Sequence, residues 1–185
     1  MIDVRAPRLE PSRLRHPLGL ALYEKPALGE PRGTILCVHG TLDRARSFAR
    51  LARRLPEYRV IAYDRRGYES SQHVSAVPDL ETQVADLHSV IEVMAGGGPV
   101  DVFGHSMGGS IAITSAIFNP MGMRSVVTYE SPLRWLLEEE DWWVPAPSPE
   151  EEAETFFSMM TSPGSWERLN ETERAHRRAD GCALV

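Results

Sequence analysis

The chain has 185 residues, 42% of them hydrophobic and 25% charged, enough to bury one sizeable core and to predict one domain. Its net charge is −6, and the acids at 138–141, 150–152 and 154 carry more than all of it, so nucleic acid is not expected as a partner. No stretch joins basic residues to a long apolar run and none approaches membrane-spanning length, so the expectation is a cytoplasmic protein with no membrane span. Cys37 and Cys182 fit no metal-ligand spacing and read as reduced thiols.

In chain order, Thr34-Ile35-Leu36-Cys37-Val38 is a β-branched, apolar run that stops at His39-Gly40-Thr41, which predicts a buried parallel strand ending in a loop. Phe48, Leu51, Ala52 and Leu55 fall at i, i+3, i+4 and i+7 behind Ser47 as a cap. They predict a helix with one apolar face. Arg59 to Tyr63 is a second short strand, broken by Asp64 and Gly67. Leu80, Val84, Leu87, Ile91 and Met94 predict a second helix that starts after Pro78-Asp79. The cluster Gly96-Gly97-Gly98-Pro99 precedes a strand, so it is a helix-to-strand loop and not a phosphate cradle.

The strand Val100 to Phe103 runs into Gly104-His105-Ser106-Met107-Gly108-Gly109, which places Ser106 on a strand-to-helix turn. Such a turn is so tight that a Cβ two residues before or after the serine would collide with the strand or the helix, and Gly104 and Gly108 avoid this. The Ser106 hydroxyl then stands above the C-terminal edge of a parallel sheet. The Met107 N–H lies free at a helix N-terminus, able to receive negative charge. Ile111, Ala112, Ile113, Ala116, Ile117 and Phe118 are apolar nearly all round and predict a central helix packed on every side. Ser125 to Tyr129 predicts a further strand.

These three strand ends, in this order, resemble the α/β-hydrolase family over about residues 18–132. The resemblance implies an α/β fold, a three-layer α/β/α sandwich on a mostly parallel sheet, incomplete at its C-terminal edge. Residues 1–132 would be the N-terminal part of the core and 133–185 part of a helical lid. It further implies Ser106 as nucleophile, with the N–H groups of Met107 and Thr41 as the oxyanion hole and Leu42 competing for the place of Thr41. The substrate would be a small or acyl-chain ester, thioester or similar carbonyl compound, with no metal and no organic cofactor. Asp64, Arg66 and Gly67 would shape a turn that supports the site. Glu69 stands where relatives often carry Gly, and Glu tolerates positive φ poorly. A Rossmann-type nucleotide binder is disfavoured because both G-x-G-x-x-G and G-x-x-x-x-G-K-[ST] are missing.

Beyond Pro132, the prolines at 145, 147 and 149 and the tryptophans at 135, 142 and 143 break the strand–helix alternation. Ser148-Pro149-Glu150-Glu151 starts a helix that would carry Ala153, Phe156, Phe157 and Met160 on one face. Asn170 to Asp180 reads as a more polar helix. These aromatics either line an apolar pocket or hold the lid on the core. The family orders its triad as Ser, acid, His. Here His176 sits among Arg174, Arg177 and Arg178 on a solvated face, and His39 and His105 belong to motif loops. Glu130 ends a strand where some relatives carry an alternative acid, or makes an ordinary strand-end contact. The expectation is therefore the N-terminal two-thirds of a serine hydrolase without its catalytic His, nearly inactive by itself. The alternative is a non-catalytic remnant acting as a binding module. Oligomeric state stays open.

Overall fold

Alternation along the strands builds two cores, one on each face of a single sheet. A computed structural model describes residues 7–77, 79–133 and 146–184. The sheet has six strands: β1 (Glu10–Pro11), β2 (Leu22–Lys25), β3 (Thr34–Val38), β4 (Arg59–Tyr63), β5 (Val100–His105) and β6 (Met123–Tyr129). Their spatial order is β1-β2-β4-β3-β5-β6; the β1–β2 and β2–β4 pairings are antiparallel and the β4–β3, β3–β5 and β5–β6 pairings parallel. Leu36, Val38, Ile61, Tyr63, Val100 and Val102 point to one face and meet Leu87, Val90, Ile91 and Met94 of α2 (Leu80–Ala95) and Ile111 and Ala112 of α3 (Met107–Phe118). Cys37, Val60 and Ala62 point to the other and meet Ala45, Phe48 and Ala52 of a short 3-10 turn running into α1 (Ala49–Arg53). Helices cover both faces of a mostly parallel sheet, the three-layer α/β/α arrangement.

Local chemistry explains most boundaries. Asp79 caps α2 by accepting from the Thr82 N–H at 2.7 Å, and Gly96 at φ +59° ends it. Ser47 does not cap α1. Its hydroxyl turns to Asp43, and the segment enters through the 3-10 turn Ala45–Phe48 because the Asp64 carboxylate takes the Ala45 N–H at 2.8 Å. β6 begins two residues earlier than the sequence pattern suggested.

The central helix departs most from expectation. Gly108, Gly109, Ser110, Ile111, Ala112 and Ser115 of α3 are buried, but Ile117 and Phe118 are 61% and 80% exposed. Among the described residues the sheet ends at β6, and nothing described there covers the far end of α3.

The C-terminal segment forms α4 (Pro149–Met160), α5 (Ser165–Arg168), α6 (Glu171–Ala179) and a 3-10 turn, Asp180–Ala183. Ser148 caps α4 as its sequence suggested, and Asn170 with Glu173 forms a reciprocal capping box on α6. Ala153, Phe156 and Phe157 pack with Leu42, Tyr68, Ala183 and Leu184 over the ends of β3 and β4. Met160 is more than half exposed rather than part of that face. Trp135, Trp142, Trp143 and the acids at 138–141 lie outside the described residues. No described helix is long and apolar enough to cross a membrane.

Candidate active site

Ser106 occupies the single residue between β5 and α3, with φ +51° and ψ −125°. A serine holds this unfavourable conformation only when its surroundings impose it. They do so through close backbone approaches. A Cβ on Gly104 would lie 2.4 Å from the Gly109 Cα, and one on Gly108 would lie 2.1 Å from the Val38 carbonyl oxygen. The Ser106 N–H donates to the Tyr129 carbonyl at 2.9 Å, tying the turn to the end of β6.

Gly40 brings the loop after β3 against the serine. A Cβ there would meet the Ser106 Cβ at 2.9 Å, so Thr41 follows within reach of the turn. Thr41 and Met107 line one cavity of about 180 Å³ together with Arg65, Tyr68, Leu80, Gln83, Ser110, Pro132, Ala183 and Leu184. Neither the Thr41 nor the Met107 N–H finds a partner among the described residues. The competing residue Leu42 is buried at φ +50°, and its carbonyl accepts from Arg177.

The loop after β4 is a polar scaffold beneath this. Asp64 accepts from Ala45 N–H, from the Tyr23 hydroxyl at 3.0 Å and from Ser70 N–H; burial raises its pKa while these donors oppose the rise. Arg66 makes a buried two-pronged bond to Asp86 of α2 at 2.6 and 2.7 Å. Asp64, Arg66 and Gly67 thus shape the turn and do not line the cavity. Glu69 does take positive φ, at +43°, anchored by Asp180, which accepts its N–H, and by an ion pair with Arg44.

The histidines divide cleanly. His39 is fully buried. Its Nε2 accepts from the Arg65 N–H at 2.9 Å, so Nδ1 carries the ring proton and donates to the Gly40 carbonyl at 2.7 Å. Burial, aided by the nearby Arg65 charge, pushes its pKa down to about 3. His105 stacks on Tyr129 and sits 3.7 Å from Asp43 and 4.0 Å from Glu130, and the Asp43 carboxylate raises its pKa. Burial opposes ionisation of Asp43, but His105 and its other partners outweigh this and bring it to about 2. His176 is half-exposed, 3.8 Å from Glu69. No hydrogen bond joins any of these rings to Ser106 among the described residues. Glu130, at φ +55°, is largely exposed.

Sequence reasoning overlooked Asp43, Tyr68 and Arg65. Asp43 and Tyr68 carry no motif. Arg65 had one usable signal, a cation two residues beyond the end of the apolar strand β4. Among the described residues no group of three or more His, Cys, Asp or Glu is placed to hold a metal.

A serine on such a turn above a mostly parallel sheet defines a class, and the sequence falls in it: the model of the alpha/beta hydrolase family matches residues 35–184, and the chain belongs to that family. It is 32% identical over 116 residues to Lipase 1 of Psychrobacter immobilis, covering 62% of this chain and 33% of the lipase. It is 33% identical over 110 residues to the human serine hydrolase-like protein, covering 58% of this chain and 53% of that protein. These matches span between a third and about half of the relatives' own length. Among solved structures, an esterase from Exiguobacterium antarcticum superposes with TM-score 0.64 at 18% identity, covering 92% of this chain and 69% of the esterase, a likeness of fold.

Proposed function

We propose that the chain carries the nucleophile and oxyanion machinery of a serine hydrolase acting on a small ester, thioester or similar carbonyl compound. The observation that carries this is the Ser106 turn: a positive-φ serine between β5 and α3, enforced by the close approaches at Gly104 and Gly108. Ser106 Oγ attacks the carbonyl carbon, and the N–H groups of Met107 and Thr41 receive the charge that develops on the carbonyl oxygen. Their freedom from other partners supports this role. The helical segment from Pro149 to Leu184 acts as the part of a lid that closes the cavity.

A base for Ser106 is the component that no described histidine supplies. His39 uses both ring nitrogens, His105 faces Asp43 and Glu130, and His176 faces Glu69. In a related triad the loss of that base costs on the order of 10⁶ in kcat. The 185-residue chain is therefore a poor catalyst, turning over an activated aryl ester below about 10⁻³ s⁻¹.

The test is covalent labelling with an activated phosphonate. Slow modification of Ser106, abolished in Ser106→Ala, is the expected result. Equal labelling of the variant removes the assignment. No labelling of either protein favours a non-catalytic binding module, in line with a Ser106 hydroxyl that finds no hydrogen-bond partner among the described residues.

A further inference from the structure

Arg65 is 3% exposed, and it lines the cavity beside Thr41 and Met107. Its guanidinium has only neutral partners. Nη1 donates to Gln83 Oε1 at 3.3 Å, Nη2 donates to the Gly40 carbonyl at 3.1 Å, and the group lies over the Tyr68 ring at 4.7 Å. Its Nε is buried with no hydrogen-bond partner, and no carboxylate pairs with it among the described residues. The adjacent Arg66 shows the contrast, since it is neutralised in full by Asp86. A guanidinium cannot shed its proton, so a buried one without a counter-ion is costly unless an anion arrives from outside.

We propose that Arg65 is a specificity residue that binds a carboxylate carried by the acyl part of the substrate, which makes the preferred substrates short monoesters or monothioesters of dicarboxylic acids. This rests on the reading of Ser106 as nucleophile. The Arg65 guanidinium bonds the carbonyl of Gly40, the residue just before Thr41, so a carboxylate held there lies a short chain away from a carbonyl at the Thr41 and Met107 N–H groups. The cavity is small and mostly lined by apolar atoms between these two ends, which suits a few methylenes and rejects a long acyl chain. Planar, two-pronged recognition of a carboxylate is what arginine does better than lysine.

The test compares two 4-nitrophenyl alkylphosphonates, one ending in a carboxylate and the other in its methyl ester. In each, Ser106 Oγ bonds to phosphorus, 4-nitrophenolate leaves with the bonding pair, and the serine proton passes to buffer. The carboxylate reagent is expected to label Ser106 about 10-fold faster or more, as a charge-assisted hydrogen bond implies. Arg65→Met is expected to abolish that preference and Arg65→Lys to keep part of it. Measurable but equal rates for the two reagents on the unaltered chain overturn the proposal. Glutarate binding to Ser106→Ala protein, measured by calorimetry, reads Arg65 without the nucleophile. Saturable binding that is lost in Ser106→Ala/Arg65→Met supports the carboxylate site even if neither phosphonate reacts. No binding to Ser106→Ala protein means that Arg65 has its counter-ion within the chain, and the proposal fails.

Discussion

His39 is held neutral from both sides of its ring. Protonating Nε2 would turn it from an acceptor into a donor facing the Arg65 N–H, besides placing a charge in a fully buried loop. Its folded pKa, about 3, lies below the ordinary value of 6.5, so the unfolded chain binds the extra proton first. The stability this residue contributes is complete above pH 6.5 and is lost progressively as pH falls from there toward 3. A drop of a few kcal/mol across that window is expected in urea titrations. His39→Gln should be less stable at neutral pH but lose less on acidification; an unchanged acid slope would remove His39 as the cause. At this scale the sequence singles out Ser106, Thr41 and Met107 through a motif; the structure sets Gly40 against the Ser106 Cβ and Thr41 and Met107 on the wall of one cavity. The sequence was silent where a role depends on what lies across the fold. Arg65 is informative only because the described chain offers it no carboxylate, and Asp43 matters because the Gly40 turn brings it to His105.

The unit β5, turn and α3 depends on glycine for a packing reason beyond conformational freedom. A methyl group on Gly108 would sit 2.1 Å from the Val38 carbonyl, a backbone atom within the sheet that cannot swing aside. Gly108→Ala should therefore force β3 and α3 apart, cost about 3 kcal/mol and abolish phosphonate labelling of Ser106. Denaturant midpoints and the labelling yield check both halves, and a well-folded variant that still labels would show that the turn tolerates a Cβ. Strands β3 to β6 were legible as apolar runs, and α2 as a periodic pattern with its own cap at Asp79, whereas β1 and β2 carried no such signal. The start of α1 was not legible either. Its entry is decided by a bond from Ala45 to Asp64, a residue on another strand end that local pattern cannot reveal.

For the whole molecule the weak place is the β6 edge. Val127 and Tyr129 are each 58% exposed, and beside them stand Ile117, Phe118 and Met121 at the end and just beyond α3. An apolar strand edge with free N–H and C=O groups is a template for pairing with another chain. The described chain should self-associate as concentration rises. Sedimentation velocity should show this, with Phe118→Glu/Val127→Lys shifting the distribution toward monomer; a monodisperse monomer at high concentration in the unaltered chain would refute it. The four parallel strands and the helical layers were readable from the order of apolar runs, but β1, β2, the spatial order of the strands and the exposed end of α3 were not. Uniform apolarity along a helix does not say which neighbours are there to cover it.

The C-terminal 3-10 turn is fastened to the loop after β4 at two points. Asp180 accepts from the Glu69 N–H at 3.0 Å and from the Gln72 amide at 2.8 Å, while the Tyr68 hydroxyl donates to the Ala183 carbonyl at 3.1 Å. Ala183 and Leu184 are also walls of the cavity. A molecule entering from that side must wait for these bonds to break together, so association becomes a unimolecular opening at high ligand concentration and its observed rate saturates. The same fastening holds a bound ligand once the turn has closed again, and residence time then follows the clasp as much as the contacts inside.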